Sequence, residues 1–546
     1  MARPPSSNSP SSDANDEPTD APKLNERPSV KEGRRRFLKG APFALAAPGA
    51  VAGSYAANAV PEPGRPPVPD LPSMREKLLR GVPEPILPAR PDLVEMYNTC
   101  WVLGYKQTQY GTPQNGFVRW YIDAAFDSRI FQWDTSFSLA WAKYGQGALP
   151  SVESHDNFYR KQHPDGAIAG VIEKAGGEDD QPKDAPWFTR INLFSWMEWE
   201  YYQTTGDDSR FERVVPILHD YARWVIRNRR HDNGHYFWSG WSSGMDNSPR
   251  SVADKFYPPY AWVDYNANEA LAARYLAKMA EVSGHDQTAQ EMRALHAEIR
   301  KLVNRTMWSE EDQFYWDLDK DDSFMKVKTV ASFWPMWAKI TEERHVDGLI
   351  AHLNDESEFN RPHRVPTLSA DEPEYSPDGN YWRGSVWAPA NHMITRGLMA
   401  NGRHEQAREI ALNHLNNMAK VFAETETVWE NYAPERAAPG DPAQPDFVGW
   451  SGDGPIAQLI ENYIGIRLDV PRNTIRWRLL TTEEVGLRNL DFGGHTVMLK
   501  AHERSSRGDP VELTVRTPTA FTIRLHTGGR RTETVDVEPG EHTLTV

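Results

Sequence analysis

The chain has 546 residues, too many for one ordinary core, and at 39% apolar and 25% charged residues it has ample material for a folded interior. A net charge of -15 argues against DNA or an anionic membrane as partner for the surface as a whole and leaves neutral sugars open. The single cysteine, Cys100, sits in an apolar stretch and excludes an internal disulfide or a Cys-rich zinc site. Tryptophan stands out: its 20 copies equal the Phe and Tyr counts. Indoles fill helical cores, and they also stack on the C–H faces of sugars.

Residues 1–33 are rich in Pro, Ser, Asp and Glu, lack apolar periodicity, and read as a disordered tail. Arg34-Arg35-Arg36-Phe37-Leu38-Lys39 follows, then a mild apolar run and Ala57-Asn58-Ala59 as a small-x-small cleavage site. Residues 34–59 thus resemble a twin-arginine export signal, with an apolar run too short and alanine-rich to anchor a membrane. The expectation is a mature chain beginning near Val60 and working in the periplasm or outside the cell. The proline-rich stretch 60–91 reads as a linker or extended arm.

From residue 92 the periodicity is helical. Phe211, Val214, Val215, Leu218, Ala222 and Val225 recur at steps of three and four and make one apolar face over 209–230. Similar segments fall near 92–110, 134–145, 149–162, 190–206, 262–283, 286–306, 329–341, 343–354, 384–402, 404–423 and 453–467. Twelve helices joined as six hairpins predict an all-α fold, an (α/α)6 barrel over 92–469. A twelve-helix solenoid is the competing arrangement, but no sequence unit repeats. After about 470, Thr514–Thr517, Phe521–His526 and His542–Val546 alternate with turn residues and predict a small antiparallel β domain over 470–546.

Four polar and aromatic clusters interrupt the helices: Phe131–Phe137, Trp241–Arg250, Tyr381–Trp387 continuing to Asn391, and Val428–Tyr432 with Gly449–Gly452 behind it. They precede helices 2, 6, 10 and 12. Alternate connections of an up-down barrel share one end, so all four are expected at one rim. Glycoside hydrolysis needs one protonated and one ionised carboxyl group. Asp246, in a Gly/Ser-rich loop beside Tyr236-Phe237-Trp238, suits the acid, because desolvation would raise its pKa. Glu430, between Trp429 and Asn431, suits the base. Asp134 at a helix start is either a cap or a ligand for sugar hydroxyls. Arg383 either binds a carboxylate or sugar oxygens, or forms a structural ion pair. Trp387 and Trp429 are stacking platforms or core. Asp165, in an Asp-Gly turn, is a turn residue or a substrate contact.

At these clusters the chain resembles glycoside hydrolase family 63 and its trehalase-like relatives, including family 37 trehalases. The matching segments are Gly244-Met245-Asp246-Asn247-Ser248-Pro249-Arg250, Trp382-Arg383-Gly384 through Trp387 and Asn391, and Trp429-Glu430-Asn431-Tyr432. The resemblance implies the (α/α)6 barrel, inversion at the anomeric carbon, Asp246 as general acid and Glu430 as general base. It places Trp133, Asp134 and Arg383 in the sugar subsite. The full set of candidate substrate-binding residues is Trp133, Asp134, Phe137, Trp241, Asn247, Arg250, Trp382, Arg383, Trp387, Asn391, Trp429 and Trp450. The chain departs from eukaryotic processing glucosidases in lacking a recognisable large N-terminal β domain. The expected enzyme is an exo-acting hydrolase of α-linked glucosides or mannosides, its partner an oligosaccharide or small glycoside, with no cofactor, no metal motif and no nucleic acid. Asp317–Asp322 reads as a charged turn, since it lacks the Gly and distal Glu of a calcium loop. Two alternatives stand beside it: a polysaccharide lyase using Asn157, Tyr159, His155 and His163, and a non-catalytic sugar-binding protein.

Overall fold

The computed structural model describes residues 71–123, 127–238, 240–251, 260–528 and 532–546. The tail 1–33 and the export segment 34–59 lie outside them. Burial sorts the helices into two classes. Gln132–Ala142 (α2), Phe194–Thr205 (α4), Val263–Val282 (α6), Trp334–Ala338 (α8), Ala388–Ala400 (α10) and Gly454–Ile464 (α12) are buried on most or all faces. Pro91–Lys106 (α1), Asp156–Tyr159 (α3), Phe211–Asn228 (α5), Asp286–Thr306 (α7), Glu343–Asn354 (α9) and His404–Thr425 (α11) alternate with them. The long helices of this second set bury one stripe each, as in Thr288, Ala289, Met292, Leu295, Ile299, Leu302 and Val303 of α7.

The even-numbered helices touch in sequence and α12 returns to α2, so they close a ring. The odd-numbered ones pack outside it. This is the (α/α)6 barrel, with α2, α4, α6, α8, α10 and α12 inside.

At the far ends of the inner helices an ion cluster fills the barrel axis. Lys143, just after α2, binds Glu200 of α4 at 3.0 Å and Glu461 of α12 at 2.9 Å. Arg396 of α10 binds Glu461 at 2.8 Å and also pairs with Glu200. Tyr144 donates its hydroxyl to Glu461 at 2.9 Å. Above the cluster, Phe137, Trp196 and Trp337 pack ring against ring, and Trp196 reaches His392. The barrel is therefore closed at this floor.

The β region begins directly after α12. Gly465 ends that helix at φ 88°, and a Cβ there would lie 2.0 Å from the Arg478 carbonyl, so glycine is required. Ile466–Asp469 (β2), Thr474–Arg478 (β3), Phe521–His526 (β7) and Thr532–Val537 (β8) form a four-stranded sheet in that order, β3 and β7 being parallel. Glu84–Ile86 (β1), Val485–Phe492 (β4), His495–Ala501 (β5), Glu512–Thr517 (β6) and Gly540–Thr545 (β9) form a five-stranded sheet. The described part of the 60–91 stretch is structured: a helix spans Leu71–Leu79, and β1 pairs antiparallel with β4, Pro85 opposite Leu487.

Candidate active site

All four clusters lie on connections that enter inner helices at the N-terminal end, opposite the ion cluster. The first and second meet where Gly244, at φ 76°, passes over the Trp133 ring; a Cβ there would sit 3.8 Å from the indole. The third and fourth are zipped by reciprocal backbone bonds between Val386 and Tyr432, of 2.8 and 3.0 Å. Asn247 joins the second to the third. Its side-chain carbonyl accepts the Trp382 N–H at 2.8 Å, its amide donates to the Asn380 carbonyl at 2.9 Å, and its own carbonyl accepts Arg383 Nε at 3.0 Å.

The three carboxyl groups share one electrostatic environment. Asp246 is open to solvent at the mouth but set deep among protein atoms. Lost hydration pushes its pKa up to about 6, opposed by the positive charge of Arg190. Glu430 is only 3% exposed. Burial pushes its pKa up to about 7; the Tyr381 hydroxyl, donating at 3.0 Å, and the Gln444 N–H, donating at 3.2 Å, pull the other way, and the Asp246 charge adds to the rise. Asp134 is buried and raised well above the usual range by desolvation and by Asp123. It does not cap α2, whose N-cap residue is Phe131 with no side-chain capping bond.

Several expected ligands serve instead as scaffolding. Arg250 is 1% exposed and spends its guanidinium on Asp264 at 2.8 and 3.0 Å and on Asp317 at 2.9 Å, lying 4.5 Å over the Trp262 ring. It fastens the Asp246 loop to the start of α6 and has no donor left for a sugar. Asp317, first residue of the charged turn, is thereby an anchor. Trp382 and Trp387 stack on each other, 4.3 Å between centroids and 12° apart, and Trp387 is covered further by Tyr381 and Trp450. Trp387 is thus core, as are Phe137 and Asn391, both fully buried. Arg383 pairs with Glu374 at 2.8 Å, the structural alternative. Trp450 is buried and donates its indole N–H to the Glu430 carbonyl at 3.0 Å, fixing the base's backbone. Trp429 remains half-buried, its N–H on Thr425 at 3.1 Å. Trp133 stacks on Trp334, 5.8 Å apart, beside Asp134. The side chain of Trp241 lies outside the described residues.

Two residues outside the expected set belong here. Tyr381 reaches the base from a strained backbone, since it and Asn380 are non-glycine residues at φ 63° and 40°. It heads the Tyr-Trp-Arg-Gly cluster, which was the available signal. Arg190 interacts with Asp246, Asp180 and Asp134. It lies on the connection entering α4, which the alternate-connection rule marks although no motif does.

The lyase residues are otherwise engaged. His155 is buried against Ser136 at 3.1 Å, and Tyr159 donates to Glu198 at 3.1 Å. Asn157 accepts the Val118 N–H at 2.7 Å, and His163 binds Asp179 at 2.6 Å. They hold α3 and its loops to their neighbours. Asp165 pairs with Lys183 on the surface at 2.6 Å.

Residues 124–451 match the family model described as the mannosylglycerate hydrolase MGH1-like glycoside hydrolase domain. The chain belongs to this family. It is a glycoside hydrolase, and hydrolases of this family invert the anomeric configuration. A protein of unassigned function from Borreliella burgdorferi is 27% identical over 407 residues, which cover 72% of this chain and 84% of that one. The mannosyl-oligosaccharide glucosidase of Saccharomyces cerevisiae is 24% identical over 304 residues, 50% of this chain but only 34% of the yeast protein. Among solved structures, the family 63 mannosylglycerate hydrolase of Thermus thermophilus with bound glucose superposes with a TM-score of 0.54 at 19% identity, covering 66% of this chain and 98% of that one. That hydrolase is also known with Tris and D-glycerate.

With carboxyls raised to about 6 and 7, kcat/KM is predicted to follow a narrow bell with its maximum between those values. Tyr381→Phe removes a hydrogen bond that favours ionised Glu430. It should lower kcat by about 10- to 100-fold and move the Glu430 limb to higher pH. An unshifted profile would show that the Tyr381 bond does not tune the base.

Proposed function

We propose that the enzyme removes a terminal α-linked glucosyl or mannosyl unit by single displacement. Asp246 protonates the leaving oxygen while Glu430 takes a proton from the attacking water. The observation that carries this reading is the pair itself: two carboxyls from different hairpins at one mouth, both raised toward neutrality and within about one unit of each other; the division into acid and base follows the family resemblance of their two segments. Such groups exchange protons near neutral pH, which acid–base catalysis requires. The closed floor supports exo action, because a sugar chain entering the mouth meets Phe137, Trp196 and the ion cluster rather than a through-channel. Arg190 interacts electrostatically with the acid, Asp246. It supports a short acceptor bearing a carboxylate, the chemistry of the glycerate bound to the Thermus enzyme.

A panel of α-mannosides and α-glucosides of glycerate, with neutral disaccharides alongside, tests the specificity. Proton NMR of the first product should show the β-anomer, and the glycosides of glycerate, with their free carboxylate, should outpace those of neutral acceptors. A first-formed α-anomer would contradict single displacement; equal rates on neutral acceptors would remove the role given to Arg190.

We further propose that the enzyme is exported by the twin-arginine route, on the strength of Arg34–Lys39 and Ala57–Ala59. In a bacterial host, replacing Arg34 and Arg35 together by Lys should hold the protein in the cytoplasm. Undiminished export of that variant would refute the assignment.

A further inference from the structure

Positive charge is in excess where the barrel floor meets the β region. One face of the β2–β3–β7 sheet carries Arg467, Arg476 and Arg478, with Arg476 opposite Arg467 and Arg478 beside His526. The alternate residues Ile475, Trp477, Ile523 and Leu525 fill the core on the other face. Nearby carboxylates are already committed. Glu200 and Glu461 serve Lys143, Arg396 and Arg467, the last at 3.3 and 3.6 Å. Asp469 serves Arg472, at 3.2 Å, and Arg476. Lys143, Arg396, Arg467, Arg472, Arg476 and Arg478 thus share Glu200, Glu461 and Asp469, with Asp453 beside Lys143 and Arg396 and a further cation, Arg524, opposite Arg476.

Of the cations sharing those carboxylates, Arg478 is the one left over. Among the described residues it has no ion-pair partner, and its Nη1 is buried without a hydrogen bond. Arg467, Arg476 and Arg396 crowd it, and burial together with their repulsion brings its pKa down to about 10. His404, the first residue of α11, lies close enough to feel that charge and is pushed down to about 4 chiefly by burial, so it is neutral. Its Nδ1 is also buried without a partner. The N-cap of α11 offers no side-chain capping bond, which leaves the first N–H groups of that helix pointing outward.

Arg478 feels the charge of Glu461 but makes no ion pair with it; a largely enclosed guanidinium without a bonded partner is costly, and its planar fork matches the oxygens of a tetrahedral anion. We propose that Arg478, Arg467 and His404 form a binding site for a small oxyanion of the phosphate class at the floor of the barrel. The site is remote from the catalytic mouth. Access is narrow: Arg467 is 25% exposed and Arg478 is mostly enclosed, which suits a single small ion rather than a polyanion. The bound ion joins β3 to the inner-helix cluster, so its effect is on stability and not on the chemistry above.

The test is thermal unfolding of the full chain in a zwitterionic buffer, titrated with inorganic phosphate or with chloride at matched ionic strength. Phosphate should raise the midpoint saturably and chloride should not. Arg478→Gln should abolish the rise. Without phosphate it should unfold at the same temperature as the wild type or higher, because a repelling charge is gone. Calorimetric titration of the wild type should give one phosphate per chain, and His404→Gln should weaken it about tenfold. No saturable rise, the same rise with chloride, or the same rise in Arg478→Gln would each overturn the proposal. Should Arg478→Gln not fold, the wild-type titration and His404→Gln decide: absent binding, or binding unaffected by the His404 change, overturns it.

Discussion

The inner helices are enclosed on every side, so their polar groups must find partners within the ring or go without water. The two ends of the barrel answer this constraint differently. At the floor, Lys143, Glu200, Arg396 and Glu461 satisfy one another and close the axis. At the mouth, Asp134 and Glu430 are buried, and Asp246, though open to solvent, is set deep among protein atoms; none is fully paired, and all three are shifted upward. Site and plug are thus two outcomes of the same burial, one at each end of the barrel.

Acid and base come from different hairpins, and their mutual placement depends on fastenings between loops. Arg250 clamps the Asp246 loop to Asp264 and Asp317. Asn247, next to the acid, holds the 380–383 segment through three hydrogen bonds. Tyr381 in that segment then reaches the base. The path from Asp246 to Glu430 is therefore a short run of neighbouring contacts. A strained backbone at Tyr381 persists because Asn247 and the zipped strands around Val386 and Tyr432 over-determine it.

The twelve helices were legible because outer helices show a one-sided apolar stripe, α5 and α7 most clearly. Chain order alone placed the four clusters at one rim. The sequence could not say what each side chain faces. Trp382 and Trp387 read as sugar platforms, yet five-residue spacing brought them face to face with each other. Arg250 sits in a segment typical of the active site, but its partners Asp264 and Asp317 lie in other elements. The same holds for Arg190, set among carboxylates from three separate segments, and for β1, which pairs across some four hundred residues with β4. Long-range pairing carries no local pattern.

The central claim, that Asp246 is the acid and Glu430 the base, is tested most directly with a glycosyl fluoride, whose leaving group departs without protonation. The account predicts that Asp246→Asn loses activity on ordinary glycosides but keeps much of it on the α-fluoride, whereas Glu430→Gln loses both. Equal loss of both substrates in Asp246→Asn, or retained fluoride hydrolysis in Glu430→Gln, would contradict it.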